Sequence, residues 1–238
     1  MGNRNILIAV AMESELIPLR KKFGVFEKKV IQGISFYTKK VNDLNLVVIC
    51  SGVGIVNMSS ALSLALYIYS PMFVINYGLA GGFGSDVHSG DIVIGSHVMN
   101  IGSFQISNDS NYLNDLNYIN FIADGKDELI YYSGAENLIN LIDSNFIRGV
   151  IGSGDIWNKN KDSINYLNKK YGILCEDMES VAVYQVCAKC NVPCLSIKVI
   201  SDNEVLGEEY DKNIISILNE FISNYILLLV DHINNKVN

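Results

Sequence analysis

Apolar residues arrive along this chain in short unbroken runs separated by mixed, helix-periodic stretches. Residues 5–11 (Asn-Ile-Leu-Ile-Ala-Val-Ala) form the first such run. It predicts a strand covered on both faces, because a half-exposed strand alternates instead. Residues 44–50, 72–82, 91–97, 146–151 and 192–201 read as further strands, the one at 72–82 passing into a glycine-rich turn at Gly78-Leu-Ala-Gly-Gly82. Partial alternation on either side of Gly33 predicts a hairpin of 29–32 with 35–41. Helices are expected over 13–23, 56–69, 135–142, 163–171, 178–189 and from 209 to about 234. The helix at 56–69 is apolar on most faces, which places it in the interior or at an interface. Residues 100–133, rich in Asn, Asp and Tyr, predict a loop excursion without assignable elements. Strands alternating with helices, with no repeat and no linker, imply a single domain of α/β class, three layers (α/β/α) around a mixed central sheet.

Composition narrows the functions open to such a domain. Of 238 residues, 49% are hydrophobic, enough for one large core, and disorder is excluded as the main state. The net charge of −7, with Arg4, Arg20 and Arg148 as the three arginines, excludes the basic face that nucleic acid or an anionic membrane requires. The apolar run at 6–12 is seven residues long and is followed at once by Glu13 and Glu15, so no secretory signal is expected. The run at 226–230 is five residues, against about 18 for a membrane span. A soluble, cytoplasmic protein is the expectation. Five cysteines predict no disulfide framework, and Cys187-x2-Cys190-x3-Cys194 lacks a fourth neighbouring ligand for a structural zinc. Neither a metal nor a cofactor is expected, and His88, His97 and His232 fall in no metal-binding or triad pattern.

The chemistry that remains is acidic. Four predicted strand ends carry carboxylates: Ala11-Met-Glu-Ser-Glu15, Gly152-Ser-Gly-Asp155, Cys175-Glu-Asp-Met-Glu179 and Ile200-Ser-Asp202. Ligands of α/β sheets gather at that rim. Helix capping accounts for any one of these acids, but less readily for all four. The glycines at 78–82 allow close backbone approach without matching a phosphate or dinucleotide loop.

In order and spacing, these pieces, with Ser51-Gly52-Val53-Gly54, resemble the nucleoside phosphorylase and nucleosidase superfamily, above all its 5′-methylthioadenosine/S-adenosylhomocysteine nucleosidases. The resemblance implies a phosphorylase-like fold and hydrolysis of the bond between adenine and ribose, in nucleoside catabolism and methionine salvage. It implies Asp202 as the acid that protonates purine N7, with Ser201 positioning it, and Glu15 as the base that orients water. Glu179 would accept the ribose hydroxyls, and Met12 and Met178 would pack on the sugar. Trp157 would stack on adenine, backbone groups at Trp157 and Asn158 would read the base edge, and Val53, Ala80, Gly81 and Asp177 would complete the substrate contacts. None of the three arginines follows a Gly-Asp-Pro motif, where sister phosphorylases hold phosphate, so water is the implied nucleophile. A homodimer is implied too, with Phe104 closing the partner's pocket.

The sequence departs from the family at Leu79 (usually Ser), Lys198 (usually Arg), Gly102-Ser-Phe-Gln105 (usually His-Asp-x-Asp) and Asn158 (usually Ile). These changes leave two alternatives open. One is a nucleosidase for another purine nucleoside, 5′-deoxyadenosine or futalosine-like. The other is a weakly active nucleoside-binding protein on the same scaffold.

Overall fold

The structure, a computed structural model, describes residues 4–105, 117–118, 131–210 and 213–235. The first half carries β1 (Asn5–Val10), a 3-10 turn (Glu13–Leu16), α1 (Ile17–Phe23), β2 (Glu27–Ile31), β3 (Ile34–Val41), β4 (Leu44–Cys50), α2 (Ile55–Tyr69), β5 (Phe73–Gly82) and β6 (Ile92–Asn100). Three two-residue strands follow: β7 (Phe104–Gln105), β8 (Asn117–Tyr118) and β9 (Tyr132–Ser133). The second half carries α3 (Glu136–Ile139), β10 (Ile147–Ser153), α4 (Lys161–Tyr171), β11 (Ile173–Asp177), α5 (Ser180–Cys190), β12 (Cys194–Asp202) and α6 (Ile214–Asn235).

One mixed sheet runs β11-β10-β6-β12-β5-β1-β4-β3-β2, with β9 added beside β6. Its central strands are mostly buried, as continuous apolar runs require: β1 is buried at all six residues and β12 at all but Asp202. Ile6, Ile8, Phe73, Ile75 and Tyr77 face one side, against Leu16, Leu19 and the α6 residues Leu218, Ile222 and Ile226. Leu7, Ala9 and Val74 face the other, against Met58, Ala61 and Leu62 of α2 and Val181, Val183 and Cys187 of α5. Truncating any one of these fully buried aliphatics to alanine costs about 2–5 kcal/mol. The helix α6 is long and apolar enough to cross a membrane by length and composition alone, but Ile214, Leu218, Ile222, Ile226 and Val230 are spent on the core.

Several elements differ from expectation. The strand β5 does not turn at Gly78 but continues to Gly82, pairing with β12 through Gly81 and, antiparallel, with β11 at Gly81 and Gly82. The sheet therefore curls until β5, β12, β6, β10 and β11 form a closed ring, and the glycines are the residues at which the closing strands meet. An α-helix spans only four residues where 135–142 was expected, and α5 begins at Ser180, two residues late, because Asp177 binds the Ser180 amide and hydroxyl there. The five-residue β11, expected only as an acidic strand end, is a full member of the sheet. Most of the stretch at 106–133 lies outside the described residues, as does the Phe104 side chain.

Candidate active site

A cavity of about 220 Å³ opens where β1, β5, β11 and β12 end. The 3-10 turn after β1 brings Glu15 to it. The Glu15 carboxylate folds back so that Oε2 accepts the amides of Ala11 and Met12, at 2.9 Å each. Its other oxygen lies beside Gly78, where an added Cβ would sit 2.7 Å from it. The Tyr77 hydroxyl donates to the Glu15 carbonyl and pins the turn to β5. Glu13, from the same motif, turns outward to the Tyr37 hydroxyl and to Lys28, 2.7 Å away. Burial pushes Glu15 up to about 7, although two amides and Lys198 pull it down.

Glu179 stands just before α5, and its Oε1 accepts the Gly54 amide at 2.9 Å. Asp155 accepts the next amide, that of Ile55, at 2.8 Å. Two acids distant in sequence thus satisfy the first donors of α2, whose N-cap glycine has no side chain to do so. Burial also raises Glu179, against the pull of Lys198. Lys198, on β12, lies 2.6 Å from Asp177, with both side chains 1% exposed. Burial opposes its charge, but Asp177, Glu179 and Glu15 together hold it protonated.

At the other wall, the pairing of β12 with β5 is irregular between Ile200 and Asp202, a bulge of the kind that re-aims side chains. It leaves the Ser201 hydroxyl bonded to Asp202 Oδ1 and 3.1 Å from the Ala80 carbonyl. Trp157, 71% exposed, lies at the mouth of the cavity with the Lys159 ammonium over its ring.

The expected residues Met12, Glu15, Val53, Ala80, Gly81, Trp157, Asp177, Met178, Glu179, Ser201 and Asp202 all line this one cavity. Asp177 is fully engaged by Lys198 and Ser180, which makes it a positioning group for its neighbours. Asn158 is the exception. Its side chain turns away to Ser163 and to the Asn160 amide, at the start of α4, and its own amide donates to Glu176 Oε1 at 2.6 Å. Glu176 lines the cavity without having been singled out. The signal was there in the acid beside Asp177: both line the cavity, but Asp177 is spent on Lys198 and Ser180, which leaves Glu176 to face a ligand. Among the described residues no cluster of three or more His, Cys, Asp or Glu is arranged to hold a metal.

The phosphorylase superfamily model matches residues 5–230 of the chain. A 5′-methylthioadenosine/S-adenosylhomocysteine nucleosidase of Oceanobacillus iheyensis is 30% identical over 84% of this chain and 85% of its own. Among solved structures, futalosine hydrolase of Helicobacter pylori superposes with a TM-score of 0.78 at 22% identity, covering 98% of this chain and 100% of that one. The 5′-methylthioadenosine/S-adenosylhomocysteine nucleosidase of S. pneumoniae gives 0.74 at 23% identity, covering 94% and 96%. At those identities the two structures establish the fold alone, a three-layer nucleoside phosphorylase-like domain. With its acids gathered on the rim that this fold presents, and with matches spanning nearly its whole length, the chain belongs to the phosphorylase superfamily and, within it, to the 5′-methylthioadenosine/S-adenosylhomocysteine nucleosidase family.

Proposed function

We propose that this chain is a purine nucleoside N-ribohydrolase that cleaves adenine nucleosides of the 5′-methylthioadenosine and S-adenosylhomocysteine type. The observation that carries this reading is the convergence of Glu15, Glu179 and Asp202, far apart in sequence, on one cavity. The bond between C1′ and N9 breaks with its electron pair leaving on the base, so a purine held here needs a proton at N7 and a nucleophile at C1′. Asp202, fixed by the Ser201 hydroxyl, supplies the proton. Glu15, pushed up to about 7 by burial, is a base matched to neutral pH and takes a proton from the attacking water. Glu179 has one oxygen on the Gly54 amide and the other available to the ribose hydroxyls, where its charge favours the cationic sugar.

Water rather than phosphate is the nucleophile in this reading. Its support is that no arginine lines the cavity: Arg4 donates to the Ile233 carbonyl, Arg148 to that of Ile142, and Arg20 lies over the Tyr37 ring. A homodimer is part of the proposal, supported by the exposed Val56 and Tyr67 of α2, and sedimentation at micromolar concentration tests it. The activity itself is tested by following free base from 5′-methylthioadenosine, S-adenosylhomocysteine, 5′-deoxyadenosine, adenosine and inosine, with and without phosphate. Adenine release independent of phosphate is expected. Release that requires phosphate would make the enzyme a phosphorylase, and binding without release would make it a nucleoside-binding protein.

A further inference from the structure

Glu176 is 5% exposed and lines the cavity, yet only one of its carboxylate oxygens is satisfied. Oε1 accepts the Asn158 amide at 2.6 Å, while Oε2 is buried with no hydrogen-bond partner among the described residues. A buried carboxylate oxygen without a donor is costly, and in a ligand cavity the missing donor is one a ligand can bring. The Asn158 amide, the group expected to read the base edge, is already consumed by this bond. The edge reader at this position is therefore a carboxyl group in place of an N–H, of opposite polarity when ionised.

We propose that Glu176 recognises the six-membered ring of the bound purine and, by accepting the hydrogen on ring N1, adds 6-oxopurine nucleosides to the adenine nucleosides that the site takes. This rests on the nucleoside-hydrolase reading above. Asp202 lies close enough for its charge to act on Glu176, so both acids serve the base end of the cavity. A purine giving N7 to Asp202 turns position 6 and N1 along the same wall. In a 6-oxopurine, N1 carries a hydrogen and satisfies Oε2. In adenine, N1 is a bare acceptor, which an ionised carboxylate repels and a protonated one serves by donating its own hydrogen. Burial pushes Glu176 up to about 7, so both forms are present near neutrality. The charged groups around it are Asp202 on β12 and Asp177 on its own strand, the latter neutralised by Lys198. Glu15 and Glu179 titrate in the same cavity but act on both substrates alike, so they cancel from a ratio of rates.

The test measures kcat/KM for 5′-methylthioadenosine and its 6-oxo counterpart, 5′-methylthioinosine, from pH 6 to 8. The wild-type protein is expected to cleave both, with the 6-oxo to 6-amino ratio rising by up to about tenfold per pH unit. In Glu176→Gln the Asn158 amide claims the amide oxygen, leaving the NH2 to face the base. The ratio then falls at least about a hundredfold and loses its pH dependence. Cleavage of the adenine nucleoside alone, or a ratio that Glu176→Gln leaves unmoved, overturns the inference and leaves the hydrolase reading standing. Base released from neither substrate by the wild-type protein refutes both. If the variant does not fold, the pH dependence of the wild-type ratio decides alone.

Discussion

Replacing Lys198 by Met keeps a side chain of similar length in β12 while deleting the charge amid the acids. Asp177 then loses its partner at 2.6 Å, with both side chains 1% exposed in the native protein. Removing one member of such a buried pair costs about 3–5 kcal/mol, and at about 2–4 °C per kcal/mol for a chain of this size the melting temperature falls by roughly 6–20 °C. The catalytic consequence is separate. Glu15 Oε1 and Lys198 Nζ crowd the same point, 2.7 and 3.6 Å from where a Cβ on Gly78 would sit, so they are within about 6 Å of each other. At an effective dielectric of about 20, that separation is worth about 3 kcal/mol, or up to about two pH units of Glu15 titration. Glu15 already stands at about 7 with Lys198 present. In Lys198→Met, the acid limb of kcat/KM for 5′-methylthioadenosine, followed as adenine release from pH 5 to 9, therefore moves up by about one to two units. Lys198→Arg keeps the charge and keeps the limb near its native position. A limb that stays within about 0.3 units in Lys198→Met, while calorimetry shows the loss of stability, would refute the claim that this ammonium governs the base.

Other substitutions probe the remaining parts of the site. Asp202→Asn lowers kcat at least about a hundredfold if it donates the proton to N7, and a near-normal rate removes it from the mechanism. Gly78→Ala places a methyl group 2.7 Å from Glu15 Oε1; displacing that carboxylate cuts kcat by up to about a hundredfold, which single-turnover kinetics would separate from any change in binding. Asp155→Ala removes the acceptor of the Ile55 amide; it costs about 1 kcal/mol and lowers the melting temperature by about 2–4 °C. Burial raises Glu15 from 4.5 to about 7, so the folded state binds its proton more tightly than the unfolded chain does. That contribution, about 3 kcal/mol, is complete below pH 4.5 and is lost as pH rises through 7. In Glu15→Gln, calorimetry should find a shallower decline of stability between pH 5 and 8 than in the native protein; an equal decline assigns the pH dependence elsewhere.

The sheet was legible where burial is two-sided. The strands at 5–10 and 44–50 announce themselves because each carries an apolar run of five, at 6–10 and 46–50. The glycines of β5 mislead, since the same residues that allow a turn also allow a strand to be approached by two others, and only the pairing partners decide. The acids of the site could be read as a group because they recur at strand ends. Their division of labour could not, because it depends on which partners each meets once the fold assembles. Asp177 and Glu176 are neighbours that both line the cavity, yet one is spent on a buried lysine while the other keeps an oxygen with no donor among the described residues. The role of Lys198 was equally hidden, since a lysine within an apolar strand shows its partners only when the fold assembles them.

The start of α2 has a consequence for how the pocket can be watched. The amides of Gly54 and Ile55 are held by Glu179 and Asp155, which lie 125 and 100 residues further along the chain. Their protons are shielded by carboxylates rather than by the helix itself, so deuterium enters there when those long-range bonds open. Uptake at these two positions is thus a local gauge of whether the pocket is assembled, readable in the resting protein with no ligand added.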